Sequence, residues 1–311
     1  VGAFAWVLRK FMNISGSEGL VAAGNIFMGM TESPVLIKNY LPTMNRSEIF
    51  LVMVSGMGTI AGSVMGTYIG MLGGTDPAAK VLFATHLLSA SVMAVPGSIV
   101  LAKMLCPQTE EATDHVAISG KEKENSNILD AISSGTVTGV KLMTNIAAML
   151  LVFISLVALA NYITEGVIGR YTGLNDWIVK ITDGKAQGLT FQFILGVITS
   201  PFMWLIGVPS QDIMLVGSLL GQKTILNEFV AYFQLQQWKD AGLFMYEKSI
   251  LMSTYILCGF ANISSIGILL GGLGVLAPEK RGLISRIGVP AMIGGALVSV
   301  LSATIIGMIL G

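Results

Sequence analysis

The sequence predicts an all-α integral membrane protein whose two halves are inverted structural repeats, with two re-entrant helical hairpins and two interrupted transmembrane helices. The first observation is composition: 53% of the 311 residues are hydrophobic, 12% are charged, and the mean hydropathy is +0.75. A soluble domain carries about 25% charged residues. The second observation is a series of uncharged stretches of bilayer length, and the third is a set of polar breaks inside such stretches.

The composition excludes several classes of function. The 18 basic residues balance the 18 acidic ones, so the excess of positive charge typical of nucleic-acid binding is absent from the sequence. With only two histidines, the chain also lacks the His-Glu-x-x-His and Gly-x-Ser-x-Gly motifs, and we expect no enzyme. Cys106 and Cys258 show no metal-ligand spacing, which favours buried or lipid-facing thiols.

A membrane-spanning helix needs about 20 apolar residues, and the uncharged stretches meet that length. The interval 107–141 is hydrophilic and is predicted to lie outside the membrane, with a possible interfacial helix over 127–140. It separates the two halves, and residues 1–16 are read as the end of a further scaffold helix. The predicted spans are 49–75, 81–102, 142–164, 186–211, 249–278 and 287–311.

Several apolar segments contain breaks. The first hairpin is predicted over about 17–41, because Pro34 removes a backbone donor and disfavours helix at the residue before it. The second is predicted over about 186–220, with its turn at 206–212. Broken segments in corresponding positions of two halves indicate a transporter site. One further pair consists of the interrupted helices 53–69 and 221–235. The other consists of the long spans 80–105, which is broken at Pro96, and 249–278, which is broken at Gly259 and Asn262.

Few charged residues fall inside the apolar segments, and each needs an explanation, because a carboxylate at the bilayer centre costs about 2.5–3.5 kcal/mol. Glu228 is either a ligand-facing acid, an ion-pair partner of Lys223 or a helix end near the interface. Glu32 is either a ligand-facing acid or an ordinary polar residue of a hairpin turn. Asp212 is expected to cap the helix that follows it, and His86 to pack or to hydrogen-bond between helices.

Asn262 and Ser265 lie three residues apart and therefore share a helix face, with Phe260 close by at the break. An amide, a hydroxyl and an aromatic ring suit a neutral, hydroxyl-rich ligand that contains a flat ring. The alternative is hydrogen bonding between helices, worth about 0.6 kcal/mol per contact.

Four motifs carry a resemblance to a known family. They are Gly221-x-Lys223-x-x-x-Asn227-Glu-Phe-Val-Ala-Tyr232, the run from Cys258 to Gly267, the Gly-x-Thr-Glu-Ser-Pro run at 29–34, and Ala61-Gly-Ser-Val64. In these motifs, in their order and in their spacing, the chain resembles the concentrative nucleoside transporters from about residue 17 to its end. The resemblance also implies that helices of the family's N-terminal region are missing from this chain, with 1–11 as their remnant.

The resemblance implies a site for a nucleoside such as uridine. Glu228, Asn262 and Ser265 would bind the ribose hydroxyls, and Phe260 would pack on the ring. Thr31, Glu32 and Val64 would lie near the base, and Met30 stands where many members carry Gln, which weakens any expectation of pyrimidine preference. A sodium site would use oxygens of Asn25 and Thr59 with the carbonyls of Met28 and Ile60.

The predicted function is therefore sodium-driven nucleoside import by an elevator-like movement of a transport domain, 17–106 with 186–278. This domain would move against a scaffold that includes 142–165, next to a C-terminal helix at 286–311. The expected assembly is a multi-pass homotrimer in the plasma or bacterial inner membrane. Coupling to protons, transport of nucleobases and a channel remain alternatives.

Overall fold

The computed structural model describes residues 2–111, 128–182, 184 and 186–311. Across these residues the regular structure is helical throughout, with no β-strand. The chain forms two compact units, the first of which contains Val1–His115 and Ile194–Gly311, and the second Val116–Phe193. The prediction of an all-α fold is confirmed.

The first half of the larger unit contains five α-helices and one short 3₁₀ helix. Two capping boxes begin α2 and α3, in which Ser15 and Asn45 cap the helices while Glu18 and Glu48 bond back to the cap residues. The elements are α1 Gly2–Met12, α2 Gly16–Gly24, the 3₁₀ helix Ser33–Ile37, α3 Arg46–Gly58, α4 Gly62–Gly73 and α5 Pro77–Leu105.

The first hairpin is shorter and less regular than predicted. Its first arm is α2, but its second arm is the 3₁₀ helix followed by turns, because Pro34 is placed at the start of that helix and cannot donate a hydrogen bond. An ion pair fixes the base of the hairpin, with Lys103 Nζ 2.5 Å from Glu18 Oε1. The same ammonium donates to Ser47 Oγ at 3.1 Å, so α2, α3 and α5 are joined at one end.

The second half of the larger unit repeats the order of short and long helices. A 3₁₀ turn, Pro278–Lys280, precedes its last helix. The elements are α9 Phe191–Leu205, α10 Ile213–Ile225, α11 Glu228–Asp240, α12 Glu247–Leu257, α13 Ile263–Leu276 and α14 Arg281–Ile309.

Two interrupted helices, α3–α4 and α12–α13, meet at their breaks. The backbone N–H of Phe260 in the second break donates to the carbonyl of Thr59 in the first, at 3.2 Å. Gly259 makes this approach possible, because a Cβ atom there would lie 3.0 Å from the Met57 carbonyl oxygen and 2.8 Å from Ser299 Oγ. The breaks of α3–α4 and α12–α13 are thus in direct contact. The predicted correspondence of 53–69 with 221–235 is one between the two halves, and it stays a prediction.

A helical hairpin formed by α10 and α11 follows the predicted one, one helix further along the chain, and is called the second hairpin below. Lys223 near the end of α10 bonds the Ile256 carbonyl, and Asp212 before α10 bonds the amides of Met245 and Tyr246, so α10 and α12 run parallel. Tyr232 of α11 bonds the Thr254 carbonyl, which makes α11 antiparallel to α12. The chain therefore reverses at Leu226–Asn227, and this turn, not 206–212, reaches the breaks.

The turn at 206–212 is also a reversal, but it lies at the start of α12. Asp212 does not cap α10, because its two carboxylate oxygens accept from the amides just before α12, at 3.0 and 3.1 Å. Glycines let α9 and α10 pack closely, and a Cβ atom on Gly217 would lie 2.6 Å from Thr199 Oγ1.

The long helices α5 and α14 run through internal prolines, Pro96 and Pro290, without interruption. The predicted break at Pro96 is wrong. A proline removes only one bond of the ladder, and α5 packs against α14, with Gly97 next to Val298 and Leu301.

The smaller unit contains α6 Ile128–Asn161, a π-helical segment Tyr162–Gly169, α7 Arg170–Thr172 and α8 Leu174–Ile181. Residues 128–140 belong to α6, so the possible separate interfacial helix over 127–140 is not observed. The predicted scaffold helix 142–165 covers the later part of α6 and the start of the π-helical segment. The rest of the predicted connection, 112–127, lies outside the described residues.

Three stretches in the described part of the chain are long and apolar enough to cross a membrane: Arg46–Gly73, Pro77–Leu105 and Pro278–Ile309. The predicted span 186–211 contains the single helix α9 and ends in the turn 206–212, and the predicted span 249–278 is divided at 258–262. The apolar helices α9, α10 and α13 are 10–17 residues long. Helices of that length with breaks between them are the pattern predicted from the sequence.

The contact between the two breaks generates a test of the fold. We expect Gly259→Ala to lower the melting temperature of the detergent-purified protein, because its methyl group meets backbone carbonyls that cannot move independently. Overpacking of this kind costs about 1–3 kcal/mol. The matched control is Gly267→Ala in α13, where a Cβ atom meets nothing within 4 Å. Equal melting temperatures for the two variants would contradict the close approach of the breaks.

Candidate functional site

The second hairpin and the second break bring the predicted ligand-binding residues Glu228, Asn262 and Ser265 together. Glu228 Oε2 accepts a hydrogen bond from Asn262 Nδ2 at 2.9 Å. Asn262 Oδ1 accepts from the Ser265 hydroxyl at 3.0 Å and from the Ser265 amide at 2.9 Å. All three residues are buried, with Glu228 the most accessible at 8%. Asn262 and Ser265 are in contact, but through a helix cap and not as two positions on one helix face.

Local capping positions these side chains. Asn227 has an extended backbone and caps α11 by accepting from the Val230 amide, which makes Glu228 the first residue of that helix. Asn262 caps α13 in the same way through the Ser265 amide. A carboxylate in the first turn of a helix is stabilised by the positive end of the helix dipole. The acid and the amide are thus held at two helix starts that face each other.

Tyr68 of α4 completes this cluster, and the sequence analysis did not single it out. Its hydroxyl donates to Glu228 Oε1 at 3.3 Å, and its ring stacks on Tyr232 with centroids 4.1 Å apart. Tyr68 stands among glycines at positions 62, 66 and 70, which leave it as the large polar-tipped side chain on its stretch of helix. That contrast is the signal in the sequence that could have identified it.

Lys223 is not the ion-pair partner that one interpretation of Glu228 required. Its ammonium donates instead to the Ile256 carbonyl at 2.8 Å and to Ser299 Oγ at 3.0 Å. The Glu228 carboxylate is satisfied by neutral donors, which can exchange for other neutral donors such as hydroxyl groups.

A second polar cluster lies where the first hairpin meets the first break. Asn25, which is fully buried, donates to Ser55 Oγ at 2.9 Å and accepts from Ser33 Oγ at 2.6 Å. Thr59 Oγ1 donates to the Ser55 carbonyl at 2.9 Å. Of the predicted cation ligands, Asn25 and Thr59 are thus linked through one residue, Ser55, and Ile60 follows in the buried break.

Met28 and Met30 lie in the turn of the first hairpin. The Met28 amide bonds the Gly24 carbonyl at 2.9 Å, which leaves the chain past the end of α2 tightly turned. Met30 is buried at 7% exposure among the hydrophobic residues around α3, against Gly56.

The other predicted residues surround these clusters. Phe260 joins them through its backbone bond to Thr59. Thr31 contacts α13 at Gly272, and Val64 is half-buried in the first turn of α4. Glu32 is exposed, and its Oε2 accepts from the Gly29 amide at 2.7 Å, so the structure gives it a role in closing the hairpin turn.

The two clusters offer different chemistry. The one around Glu228 presents a carboxylate, an amide and hydroxyls, which suit a neutral ligand rich in hydroxyl groups. The one around Asn25 presents amide, hydroxyl and helix-end carbonyl oxygens, the donors that hold Na⁺ at discontinuous membrane helices. Among the described residues no group of three or more His, Cys, Asp and Glu side chains could hold a metal ion.

Two known protein families match this chain, over two separate ranges of residues. Residues 86–307 match the family described as "Na+ dependent nucleoside transporter C-terminus", and residues 1–75 match "Nucleoside recognition". The chain is 39% identical over 307 residues to an uncharacterized transporter of Haemophilus influenzae, covering 98% of the chain and 68% of that protein. It is also 39% identical to sodium/nucleoside cotransporter 1 of Rattus norvegicus, covering 98% of the chain and 46% of that protein.

Solved structures agree with these matches. The structure of CNTnw in an inward-facing substrate-bound state has a TM-score of 0.83 and 35% identity, covering the whole chain and 69% of CNTnw. A double variant of CNTnw in an outward-facing state has a TM-score of 0.85. Members of the matched family are transporters and not enzymes. The chain belongs to the concentrative nucleoside transporter family.

Proposed function

We propose that this chain carries the transport core of a secondary active symporter that imports nucleosides, driven by a sodium gradient. The observation that carries the proposal is the buried Glu228 carboxylate, held by Asn262 and Tyr68 at the turn of a helical hairpin. Burying an acid inside a membrane protein costs free energy. A buried acid that has only neutral partners therefore supports a functional role at this position.

The ribose of a nucleoside fits the chemistry of this cluster. A vicinal diol can donate to the two carboxylate oxygens of Glu228 and accept from the Asn262 amide, which replaces the existing bonds with equivalent ones. Ser265 holds the Asn262 amide group in orientation through two bonds to its oxygen. We propose that Phe260 packs on the ring and that Thr31, Glu32 and Val64 face the base.

Sodium is the proposed coupling ion, at the C-terminal end of α3. Asn25 Oδ1 and Thr59 Oγ1 each keep a lone pair beyond the bonds described above. The carbonyls of the last turn of α3 have no α-helical partners, and the negative end of the helix dipole favours a cation there. Met28 and Ile60 carbonyls would complete the set. Relatives named sodium/nucleoside cotransporter support this choice over a proton.

The movement is proposed to be elevator-like. The hairpins are proposed to be re-entrant and the halves to be inverted repeats, so that the two clusters lie near the bilayer midplane and move with their domain. Solved structures of CNTnw named as outward-facing and inward-facing support two end states of this kind. A homotrimer in the plasma or bacterial inner membrane is the proposed assembly.

The first prediction concerns the ribose anchor. We expect Glu228→Gln, in the protein reconstituted in liposomes, to raise the concentration of a nucleoside such as uridine that gives half-maximal uptake by about tenfold to a hundredfold. A hydrogen bond to a charged group contributes about 1.5–3 kcal/mol, and about 1.4 kcal/mol is a factor of ten. The control is Glu247→Gln, an exposed acid in the first turn of α12.

Uptake at the wild-type level by Glu228→Gln would show that the anchor is assigned wrongly. A competition series extends the test, and we expect ribosides to compete better than 2′-deoxyribosides and free bases. Stronger competition by free bases would indicate a nucleobase transporter. Conductance without saturable uptake would indicate a channel.

The second prediction concerns the coupling ion. We expect Thr59→Val to raise the sodium concentration for half-maximal uptake at least about fivefold, which corresponds to about 1 kcal/mol. The control is Thr85→Val in α5, since Thr85 makes the same bond to the carbonyl four residues earlier, at 2.9 Å, on an exposed face. If uptake ignores sodium in the wild type but follows a pH gradient, the coupling ion is a proton.

A further inference from the structure

The Lys223 ammonium is a buried charge that the proposed binding of nucleoside and sodium does not use. The residue has 0% exposure and lies in the last turn of α10, just before the turn of the second hairpin. The ammonium donates hydrogen bonds to two oxygens, the Ile256 carbonyl at 2.8 Å and Ser299 Oγ at 3.0 Å. A charge removed from water in this way is retained only where its surroundings replace the lost hydration.

The end of α12 supplies that replacement. The helix stops at Leu257, so the carbonyls of its last turn lack α-helical partners, and they form the negative end of its dipole. Ser299 of α14 donates its own proton to the Cys258 carbonyl at 3.1 Å, so its oxygen presents a lone pair to the ammonium. Carbonyl and hydroxyl oxygens at a helix C-terminus make a cation site, and here the cation is the ammonium of a side chain, that of Lys223.

The first half of the chain contains the corresponding arrangement without a lysine. There α2 runs alongside α3, and Asn25 at the end of α2 bonds Ser55 near the end of α3, 30 residues later. In the second half α10 runs alongside α12, and Lys223 near the end of α10 bonds Ile256, 33 residues later. The end of α3 is the proposed sodium site, whereas the end of α12 already holds a positive charge.

We propose that the Lys223 ammonium is a resident cation that fills, in the second half, the position that Na⁺ takes in the first. It is a positioning residue: it fixes the end of α12 and, through the 258–261 break, the Asn262 side chain that follows. Of the two helix ends, α3 and α12, one then remains open to an exchangeable cation. The comparison of halves rests on the proposed function, but the contacts of Lys223 do not.

The test is removal of the side chain and replacement of its charge by a free cation. Lys223→Ala leaves a space at the carbonyl oxygens, and Lys223→Met fills the space without charge. The control is Lys239→Ala, because Lys239 also donates to a helix-end carbonyl, that of Leu72, but away from the breaks. Melting temperature and nucleoside affinity are measured for the full chain in detergent, in choline chloride, in sodium chloride and with added propylammonium.

We expect Lys223→Ala to melt at a lower temperature and to bind nucleoside at least about tenfold more weakly at a sodium concentration that saturates the wild type. Higher sodium or propylammonium should restore both properties in Lys223→Ala, but not in Lys223→Met or Lys239→Ala. The Hill coefficient for sodium should rise in Lys223→Ala from about one towards two, because a second cation site becomes available.

The proposal would be overturned if Lys223→Ala had the melting temperature and nucleoside affinity of the wild type. It would also be overturned if added cations restored these properties no more in Lys223→Ala than in Lys239→Ala. If Lys223→Ala does not fold, Lys223→Arg and Lys223→Met decide: we expect Arg to retain nucleoside affinity within a few fold, and equal loss in both would overturn the charge role. The melting measurements need no nucleoside. If the wild type binds none, the proposed function fails while the role of Lys223 is still decided.

Discussion

The structure depends on the contact between two helix breaks. Each break exposes backbone N–H and C=O groups that would be hydrogen-bonded in a continuous helix, and inside a membrane no water is available to bond them instead. The Phe260 amide and the Thr59 carbonyl satisfy each other, and Gly259 lets the chains approach closely enough to do so. The remaining polar groups are completed by side chains that arrive from two hairpins, Asn25 from the first and Lys223 from the second.

This constraint explains why the polar residues cluster as they do. Helix ends offer opposite partial charges, with positive ends at α11 and α13 and negative ends at α3 and α12. Glu228 stands at a positive end, and Lys223 stands at a negative end. The proposed sodium ion would occupy the other negative end. The proposed substrate and ion would thus occupy sites that the broken backbone already favours, and little additional charge would have to be buried.

Much of the fold and of the site could be predicted from the sequence because breaks and charges are conspicuous in an apolar chain. Asn262 and Ser265 follow from their spacing of three residues, and Glu228 follows from its isolation. The position of the second hairpin could not be read in this way. A proline-containing turn at 206–212 and a two-residue turn at Leu226–Asn227 both reverse the chain, and only tertiary contacts show which one reaches the breaks. Tyr68 was missed because its partner is 160 residues away.

The ion pair between Glu18 and Lys103 has a consequence for biosynthesis. The two residues are 85 positions apart, so the acid at the base of the first hairpin leaves the ribosome long before its counter-ion exists. A hairpin with an unpaired acid favours the membrane surface over the interior. We therefore expect the first hairpin to reach its final contacts only after α5 has been made, so that the order of synthesis differs from the order in which the helices pack.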